Sequence, residues 1–350
     1  MSDITVRQAV RDLSAYVVEP PDFPIIVNAN ENPDDLPMPI KNQIADAIMA
    51  CPFNRYPDAS AKTLRARLSS YLGIPAEQII CGCGSDEIIN MIGESFLEKD
   101  GVVLSHAPGF SMYDIWSTIA GGNFHWIGDK ANHVPDLEQL LKTAEELDAK
   151  IIYLCNPCNP TGYLFSRDQI KAVLEQTDAL VVLDEAYIEF SGETCVDLVS
   201  DYDNLIVMRT FSKAFGLAGI RFGYAVGNQQ LIDTMYKVRS PYNLNSLTQI
   251  AASIALDHRE TLLARVPFIV AERKRMEQAL SQYDELTLYP SAANFIYFET
   301  NRADDIDAAM KRTGILLKSY GSSDAIRLSV GTPEENDKIL SVLKEVLAHA

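Results

Sequence analysis

The stretch Val181-Val182-Leu183-Asp184-Glu185-Ala186-Tyr187 places two acids directly after a run of apolar, mostly β-branched residues. Such a run predicts a short buried strand. Ligands of open α/β sheets bind at the carboxyl ends of the strands, which makes Asp184 a candidate site residue. An acid there can ligate a metal, act as a base or pair with a ring nitrogen. It can equally be a solvated acid that only ends the strand.

Similar apolar runs recur on both sides of this stretch and alternate with helical patterns. Short buried strands that alternate with helices predict an α/β fold, with a mostly parallel sheet covered on both faces. The predicted strands are Ile79–Cys81, Val102–Ser105, Asn123–Ile127, Ile151–Leu154, Leu180–Leu183, Leu205–Met208 and Phe222–Val226. The predicted helices between them include Asp86–Leu97, Leu137–Leu147 and Ser166–Gln176.

The last hundred residues follow a different order, which predicts a smaller α+β domain. We therefore expect a large domain over residues 28–252, and a small domain formed by residues 1–27 and 253–350. The predicted elements of the small domain are helices Leu247–Leu263 and Val266–Tyr283, strand Ala293–Phe298, helix Ala303–Thr313, strand Ile326–Val330 and helix Glu334–Leu347.

Composition excludes several classes of protein. The 350 residues carry a net charge of −18, and no dense Lys/Arg run offers a cationic face, so a nucleic-acid partner is not expected. No apolar run approaches the roughly 20 residues that span a bilayer. Residues 1–10 lack the apolar segment of a secretory signal, which predicts a cytoplasmic protein with no membrane partner.

The chain has six cysteines, too few for its length to predict a disulfide framework. Cys155 and Cys158 have C-x-x-C spacing, which occurs in metal and redox sites. The same spacing also fits small side chains buried at the end of a strand. No second C-x-x-C or nearby His pair completes a four-ligand set, so no metal site is predicted.

A second candidate lies in Thr210-Phe211-Ser212-Lys213-Ala214-Phe215-Gly216-Leu217, which follows a predicted strand. Lys213 stands among Phe211, Phe215 and Leu217. Apolar neighbours lower the pKa of an amine and favour its neutral, nucleophilic form. A lone Lys is more often a solvated surface residue, but the two aromatics favour a functional one here.

Two turns complete the set of candidates. In Asn156-Pro157-Cys158-Asn159-Pro160-Thr161-Gly162, two X-Pro bonds predict a rigid turn after a strand, which would aim the Asn159 amide into the site. Gly82-Cys83-Gly84-Ser85 joins a strand to a helix, where free N–H groups bind phosphate. Glu87 occupies the third position of a dinucleotide fingerprint and would repel a pyrophosphate, so a single phosphate near Ser85 fits better.

Taken together in this order and spacing, these motifs resemble fold-type-I pyridoxal-phosphate (PLP) aminotransferases over nearly the whole chain. Within that group the chain is most similar to histidinol-phosphate aminotransferases. The resemblance implies the aspartate-aminotransferase-like fold, with a seven-stranded, mostly parallel sheet in the large domain. The matching stretches are Asn28–Pro33, Arg55–Pro57, Gly84–Glu87, Asn159–Gly162, Asp184–Tyr187, Ser212–Gly216, Gly219–Arg221 and Ile326–Gly331.

The resemblance also implies roles for individual residues. Lys213 would bind the PLP cofactor covalently and shuttle a proton, Asp184 would pair with the ring nitrogen, and Tyr187 would bond the phenolic oxygen. Tyr56 would reach the cofactor of the other subunit, which implies a homodimer. The complete cofactor set implied is Gly84, Ser85, Asp86, Phe110, Asn159, Asp184, Tyr187, Ser212, Lys213, Arg221 and Tyr56.

On the substrate side the resemblance implies Tyr16, Asn159, Lys318 and Arg327. Arg327 would grip the carboxylate of glutamate. Lys318 stands where the family usually has Arg, and a lysine binds a phosphate as a point charge, without a bidentate fork. The expected reaction is transamination between histidinol phosphate and 2-oxoglutarate, in histidine biosynthesis.

Other functions stay open at this level. Close relatives of the family act on aromatic amino acids, and others decarboxylate threonine phosphate. A non-catalytic, cofactor-responsive regulator would need an added DNA-binding segment, which the sequence does not suggest. The pocket that chooses among these substrates is placed only by analogy.

Overall fold

The computed structural model describes residues 5–15 and 22–348. Tyr16, one of the predicted substrate residues, lies outside these ranges. In chain order the strands of the described residues are β1 (Ile25–Ile26), β2 (Ile79–Gly82), β3 (Val102–Ala107), β4 (Asn123–Gly128), β5 (Ile151–Cys155), β6 (Leu180–Asp184), β7 (Leu205–Thr210), β8 (Gly223–Gly227), β9 (Thr287–Tyr289), β10 (Phe295–Glu299), β11 (Ile315–Leu316), β12 (Lys318–Ser319) and β13 (Ala325–Ser329).

Some of the helices begin at a capping side chain. Ser166 and Gln169 form a capping box at α7, and Thr332 and Glu335 form another at α14, so backbone N–H groups left free by each first turn are satisfied. In chain order the helices are α1 (Gln8–Arg11), α2 (Met38–Met49), α3 (Lys62–Leu72), α4 (Gly84–Phe96), α5 (Met112–Ala120), α6 (Leu137–Glu146), α7 (Arg167–Glu175), α8 (Ile188–Ser191), α9 (Gln229–Val238), α10 (Ser246–Asp257), α11 (Arg259–Leu263), α12 (Val266–Leu280), α13 (Ala303–Arg312) and α14 (Pro333–Leu347).

A seven-stranded sheet forms the centre of the molecule, with strand order β2-β8-β7-β6-β5-β3-β4. Only β8 runs antiparallel to its neighbours in this sheet. Along β6, Val181 and Leu183 pack into one core and Val182 into the core on the opposite face. The sheet is therefore covered on both sides, as the continuous apolar runs predict, and the aspartate-aminotransferase-like α/β fold is confirmed.

A smaller antiparallel sheet, with order β12-β13-β10-β9, lies in the C-terminal part of the chain. Residues Ile25 and Val27 pack into its core, and β1 pairs with β11 in a separate two-stranded sheet, so residues 25–27 pack with this part of the fold. The predicted helix Leu247–Leu263 is wrong in one respect, because the chain leaves helical geometry at His258 and forms α10 and α11. The boundary at residue 252 stays a prediction, and α10 runs through it.

No helix among residues 5–15 and 22–348 is long and apolar enough to cross a membrane.

Candidate active site

Several of the predicted cofactor residues lie at the carboxyl edge of the large sheet. The parallel register sets Cys155 of β5 beside Asp184 of β6, and Asp184 beside Met208 of β7. The loops that follow these three strands carry Asn159, Tyr187 and Lys213 respectively. The fold thus brings together chain segments that are far apart in sequence, as expected of a topology in which neighbouring parallel strands end at one edge.

The two acids of the opening stretch have different surroundings. Glu185 is fully buried and binds Arg209, whose Nε lies 2.9 Å and Nη2 2.7 Å from Glu185 Oε2. It also accepts a hydrogen bond from the N–H of Cys195. Glu185 therefore anchors the sheet edge, and only Asp184 is left for chemistry.

Asp184 is buried, with 3 % of its surface exposed. Its Oδ2 accepts a 2.6 Å hydrogen bond from the Tyr113 hydroxyl, and its Oδ1 accepts one from the Ala186 N–H at 3.1 Å. Burial raises the pKa of Asp184 to about 6, although both hydrogen bonds favour the carboxylate. The carboxylate has no basic partner among its hydrogen bonds in the described residues, so a cationic ring nitrogen would complete its surroundings.

Tyr113 is a site residue that the sequence analysis missed. It lies in the first turn of α5, is fully buried, and stacks on Tyr153 with ring centroids 4.5 Å apart and nearly parallel planes. Phe110, one of the predicted cofactor residues, meets Tyr113 edge to face at 5.5 Å. The spacing of Phe110 and Tyr113, one helical turn apart, was the only available signal.

Lys213 is half-buried, and its Nζ donates a 2.7 Å hydrogen bond to the carbonyl of Ala29. The Nζ also lies 5.8 Å from the ring centroid of Tyr187. Burial and, after it, the positive charge of Arg327 lower the pKa of Lys213 to about 8. This direction agrees with the sequence-based prediction, and Phe211 stacks on Phe215 in the core beneath.

Asn30 connects two parts of the site. Its Nδ2 donates to the Tyr187 hydroxyl at 3.0 Å, and its N–H donates to Ser329 Oγ at 2.9 Å. Burial raises the pKa of Tyr187, so its hydroxyl stays protonated and available as a donor. Asn30 lies in a stretch that matches the family, but the sequence gives it no role, because its partners lie 157 and 299 residues away.

Small residues and hydroxyls meet at the start of α4. Gly84 has a φ of +77°, and a Cβ there would lie 2.6 Å from Nη2 of Arg221. A Cβ at Gly223 would lie 2.7 Å from the N–H nitrogen of Ser85. Gly84 is therefore required by its positive φ and Gly223 by the close approach of the α4 backbone, and Arg221 lies beside the first turn of α4.

The donors at this place suit a phosphate monoester. They are the N–H groups that begin α4, the Ser85 hydroxyl and the Arg221 guanidinium, and the predicted Ser212 follows β7, the strand next to β8. Arg221 contacts Asp86 at 3.2 Å, and Ser212 bonds Thr210 at 2.9 Å between hydroxyl oxygens. Glu87 accepts a hydrogen bond from Asn243 Nδ2 at 2.9 Å.

Arg327 is the buried cation on the side of the small sheet. It is 7 % exposed, and its two Nη groups donate to Asn159 Oδ1 and to the carbonyl of Asn28. Its guanidinium carbon lies 5.6 Å from the ring centroid of Phe295. Lys318 is directly opposite Arg327 in the antiparallel register, but it is exposed and its Nζ lies 5.7 Å from the Tyr320 ring centroid.

Tyr56 stands apart from the residues described so far. It is 80 % exposed and stacks on Tyr242, with ring centroids 4.3 Å apart. The next residue, Asn243, bonds Glu87 in the first turn of α4. Tyr56 is therefore a surface residue near the candidate phosphate end.

Comparisons with known proteins agree with this geometry. The family model described as aminotransferase class I and II matches residues 24–343. A histidinol-phosphate aminotransferase of Thermoanaerobacter pseudethanolicus is 37 % identical, with 99 % of this chain and 100 % of that protein aligned. Another, of Gloeobacter violaceus, is 40 % identical over 96 % of each chain. The crystal structure of histidinol-phosphate aminotransferase from Sinorhizobium meliloti, in complex with pyridoxal-5'-phosphate, matches this fold with a TM-score of 0.90. It is 25 % identical in sequence, and the match covers 100 % of this chain and 98 % of that chain.

Proposed function

This chain belongs to the class I and II aminotransferases, and from that premise we propose that it exchanges an amino group between histidinol phosphate and 2-oxoglutarate. The observation that carries the proposal is the pairing, at one sheet edge, of a buried carboxylate with an amine of lowered pKa, Asp184 and Lys213. Asp184 ends β6 and Lys213 follows the neighbouring strand β7, which supports their sharing one ligand. Relatives of that name match nearly the full length of the chain.

The residues present fit PLP, the cofactor of this family. When bound, PLP supplies an electron sink for charge that develops on the substrate carbon. Asp184 would meet the ring nitrogen, Tyr187 and Asn159 the phenolic oxygen, and Phe110 a face of the ring. The phosphate would be held by Gly84, Ser85, Asp86 (through its N–H), Ser212 and Arg221.

Lys213 would transfer the proton. With its pKa lowered to about 8, a useful fraction of the Nζ is neutral near pH 7 to 8 and can accept the proton from the substrate Cα. The resulting ammonium can then return that proton at the end of each half-reaction. The Ala29 carbonyl, 2.7 Å from Nζ, orients the amine for both tasks.

The substrate would be oriented by the small sheet. Arg327 is buried and already fixed by Asn159 and Asn28, so it can offer a planar fork to a carboxylate at little entropic cost. Lys318, opposite Arg327 in the register, adds a second cation on the same face. Two cations suit the phosphate of histidinol phosphate. Tyr16 completes the proposed substrate set.

The assembled protein would be a cytoplasmic homodimer in which Tyr56 reaches the site of the partner. Met49, Phe53 and Tyr56 are each more than 70 % exposed and are close in sequence, and Tyr56 stacks on the half-exposed Tyr242. A group of large exposed apolar side chains marks an interface more often than free surface. Light scattering should report twice the mass of the chain, and a Tyr56→Ala variant should weaken retention of the cofactor.

A substrate panel with the PLP-loaded enzyme tests the reaction. Histidinol phosphate, phenylalanine, tyrosine and threonine phosphate are each offered with 2-oxoglutarate, and glutamate and carbon dioxide are measured. Because its phosphate adds charge-assisted hydrogen bonds, histidinol phosphate should exceed the aromatic amino acids in kcat/KM by about 100-fold. Preference for phenylalanine or tyrosine would indicate an aromatic aminotransferase. Release of carbon dioxide from threonine phosphate would indicate a decarboxylase.

A further inference from the structure

A set of side-chain contacts surrounds the turn that joins β2 to α4, beyond the phosphate donors described above. The Glu87 side chain, in the first turn of α4, accepts a hydrogen bond from the N–H of Cys83, which precedes the helix. The same oxygen, Oε2, accepts one from Asn243 Nδ2 at 2.9 Å. The sequence predicts only that Glu87 repels a pyrophosphate. In the structure its carboxylate also ties the turn to a distant part of the chain.

Asn243 binds the chain on both sides of this turn. Besides Glu87, its Nδ2 donates to the carbonyl of Cys81 in β2, at 3.1 Å. Its Oδ1 accepts a 2.7 Å hydrogen bond from Nη1 of Arg239. A guanidinium can only donate, so the amide oxygen must face Arg239 and the NH2 group must face the two acceptors. The orientation of the Asn243 amide is therefore determined by its three partners.

Arg239 is itself held by an aromatic ring. It directly follows α9, and its guanidinium carbon lies 4.9 Å from the ring centroid of Tyr236, three residues earlier in that helix. Contact with an aromatic face suits a guanidinium, which is planar and weakly hydrated. An arginine, an amide and a carboxylate are thus hydrogen-bonded in series from the end of α9 to the first turn of α4.

Gly82 leaves room for the Glu87 side chain to fold back over the turn. A Cβ at Gly82 would lie 3.2 Å from Glu87 Oε2 and 2.9 Å from Cδ1 of Ile88, so a larger residue would displace one of them. The start of α4 is therefore held by two contacts. One is the close approach of Gly223 in β8 to the Ser85 nitrogen, and the other is the pair of Glu87 and Asn243.

We propose that Glu87 and Asn243 form a clamp that positions the start of α4, so that its first N–H groups converge on the phosphate of the cofactor. The inference rests on the proposed cofactor site, in which those N–H groups, Ser85 and Arg221 hold that phosphate. The clamp acts by preorganisation, because its hydrogen bonds hold the turn before the anion binds. Without the clamp, the cofactor would have to order residues 82–84 on binding, and its affinity would fall.

The test titrates the full-length, cofactor-free protein with PLP and with pyridoxal, which lacks the phosphate. Each dissociation constant (Kd) is read from the absorption of the bound compound. Asn243→Ala and Glu87→Ala should each raise Kd for PLP about tenfold and leave Kd for pyridoxal within about twofold of the wild type. The double variant should lose no more affinity than the weaker-binding single variant, since either change opens the clamp. Glu87→Gln keeps an oxygen acceptor, so its Kd for PLP should stay within about threefold of the wild type.

Two further variants separate a failure of the clamp from a failure of the proposed cofactor site. Glu94→Ala, exposed on the same helix, is the matched control and should change neither Kd. Ser85→Ala removes a proposed phosphate donor and should reduce the preference for PLP over pyridoxal whether or not the clamp exists.

The outcomes that overturn the proposal differ in what else they overturn. A reduced preference in Ser85→Ala, with an unchanged preference in Asn243→Ala and Glu87→Ala, would overturn the clamp alone. An equal rise of both Kd values in the clamp variants would also overturn it, because the effect would then be on the fold as a whole. A wild-type protein that binds PLP no more tightly than pyridoxal would overturn the proposed phosphate site, and the clamp with it.

Discussion

The two halves of the candidate site differ in how firmly the fold holds them. The large-sheet half consists of residues at or after the ends of strands buried on both faces, namely Asp184, Tyr187, Ser212, Lys213 and Arg221. The small-sheet half consists of Arg327 and Lys318, and Lys318 belongs to a two-residue edge strand and is exposed. Function that depends on exact placement therefore belongs to the large-sheet half, and substitutions there should reduce activity the most.

Lys213→Ala should have the largest effect. It removes the amine that would move the substrate proton, so turnover should fall at least about 1,000-fold, and the visible absorption of the PLP-loaded enzyme should disappear. Steady-state glutamate formation and the absorption spectrum measure the two effects. Lys142→Ala, on the exposed surface of α6, is the control and should leave both unchanged. Near-normal transamination by Lys213→Ala would remove the central residue of the proposal.

Asp184→Asn should follow, with a loss of about 100-fold in kcat, because a neutral amide stabilises a cationic ring nitrogen poorly. The same variant should gain stability although it loses activity. The pKa of Asp184 is raised from 3.8 to about 6 in the folded protein, so the folded state binds the proton more tightly than the unfolded state. The ionised carboxylate therefore destabilises the folded protein. This destabilisation is absent below pH 4 and grows as the pH rises through 6.

At pH 8 the difference between these two pKa values corresponds to about 3 kcal/mol. Cofactor-free Asp184→Asn should therefore unfold at a higher temperature than the wild type at pH 8, and the gain should shrink towards pH 5. Thermal denaturation at the two pH values measures it. Asp178→Asn, an exposed acid just before β6, is the matched control. A variant that is less stable at pH 8 would mean that a basic group compensates Asp184 in the cofactor-free protein.

The same contrast explains how much could be predicted from the sequence. The large sheet was predictable because runs such as Val181–Leu183 are apolar throughout, and short runs of this kind form strands buried on both faces. In the C-terminal part of the chain the short strands β9, β11 and β12 were not predicted, because two or three residues are too few to establish a period.

Individual side chains follow the same rule. Asp184 and Lys213 could be predicted as site residues, because each lies at or shortly after the end of a strand and stands in an unusual local context. Tyr113 could not, because its hydrogen-bond partner, Asp184, lies 71 residues further along the chain. Contacts made only by tertiary structure leave no local signal, so the partners of a functional residue are harder to predict than the residue itself.

Arg327→Lys tests the buried part of the small-sheet half. Lysine keeps the charge but loses the planar fork and the two hydrogen bonds to Asn159 and Asn28. The kcat/KM for 2-oxoglutarate should fall about 10- to 100-fold, mainly through KM, since charge-assisted hydrogen bonds are each worth about 1.5 to 3 kcal/mol. Arg312→Lys, exposed at the end of α13, should change neither constant. An unchanged KM would move carboxylate recognition away from Arg327.

Lys318→Ala should have the smallest effect of the series. The side chain is exposed, and contacts between exposed charges contribute about 0 to 1 kcal/mol and are screened by salt. KM for histidinol phosphate should rise no more than about fivefold, and less at high ionic strength. Lys318→Arg restores the charge and adds a fork, so it should recover or improve that KM. A loss as large as that of Arg327→Lys would show that β12 becomes buried when substrate binds, and the contrast between the two halves would then hold only for the empty site.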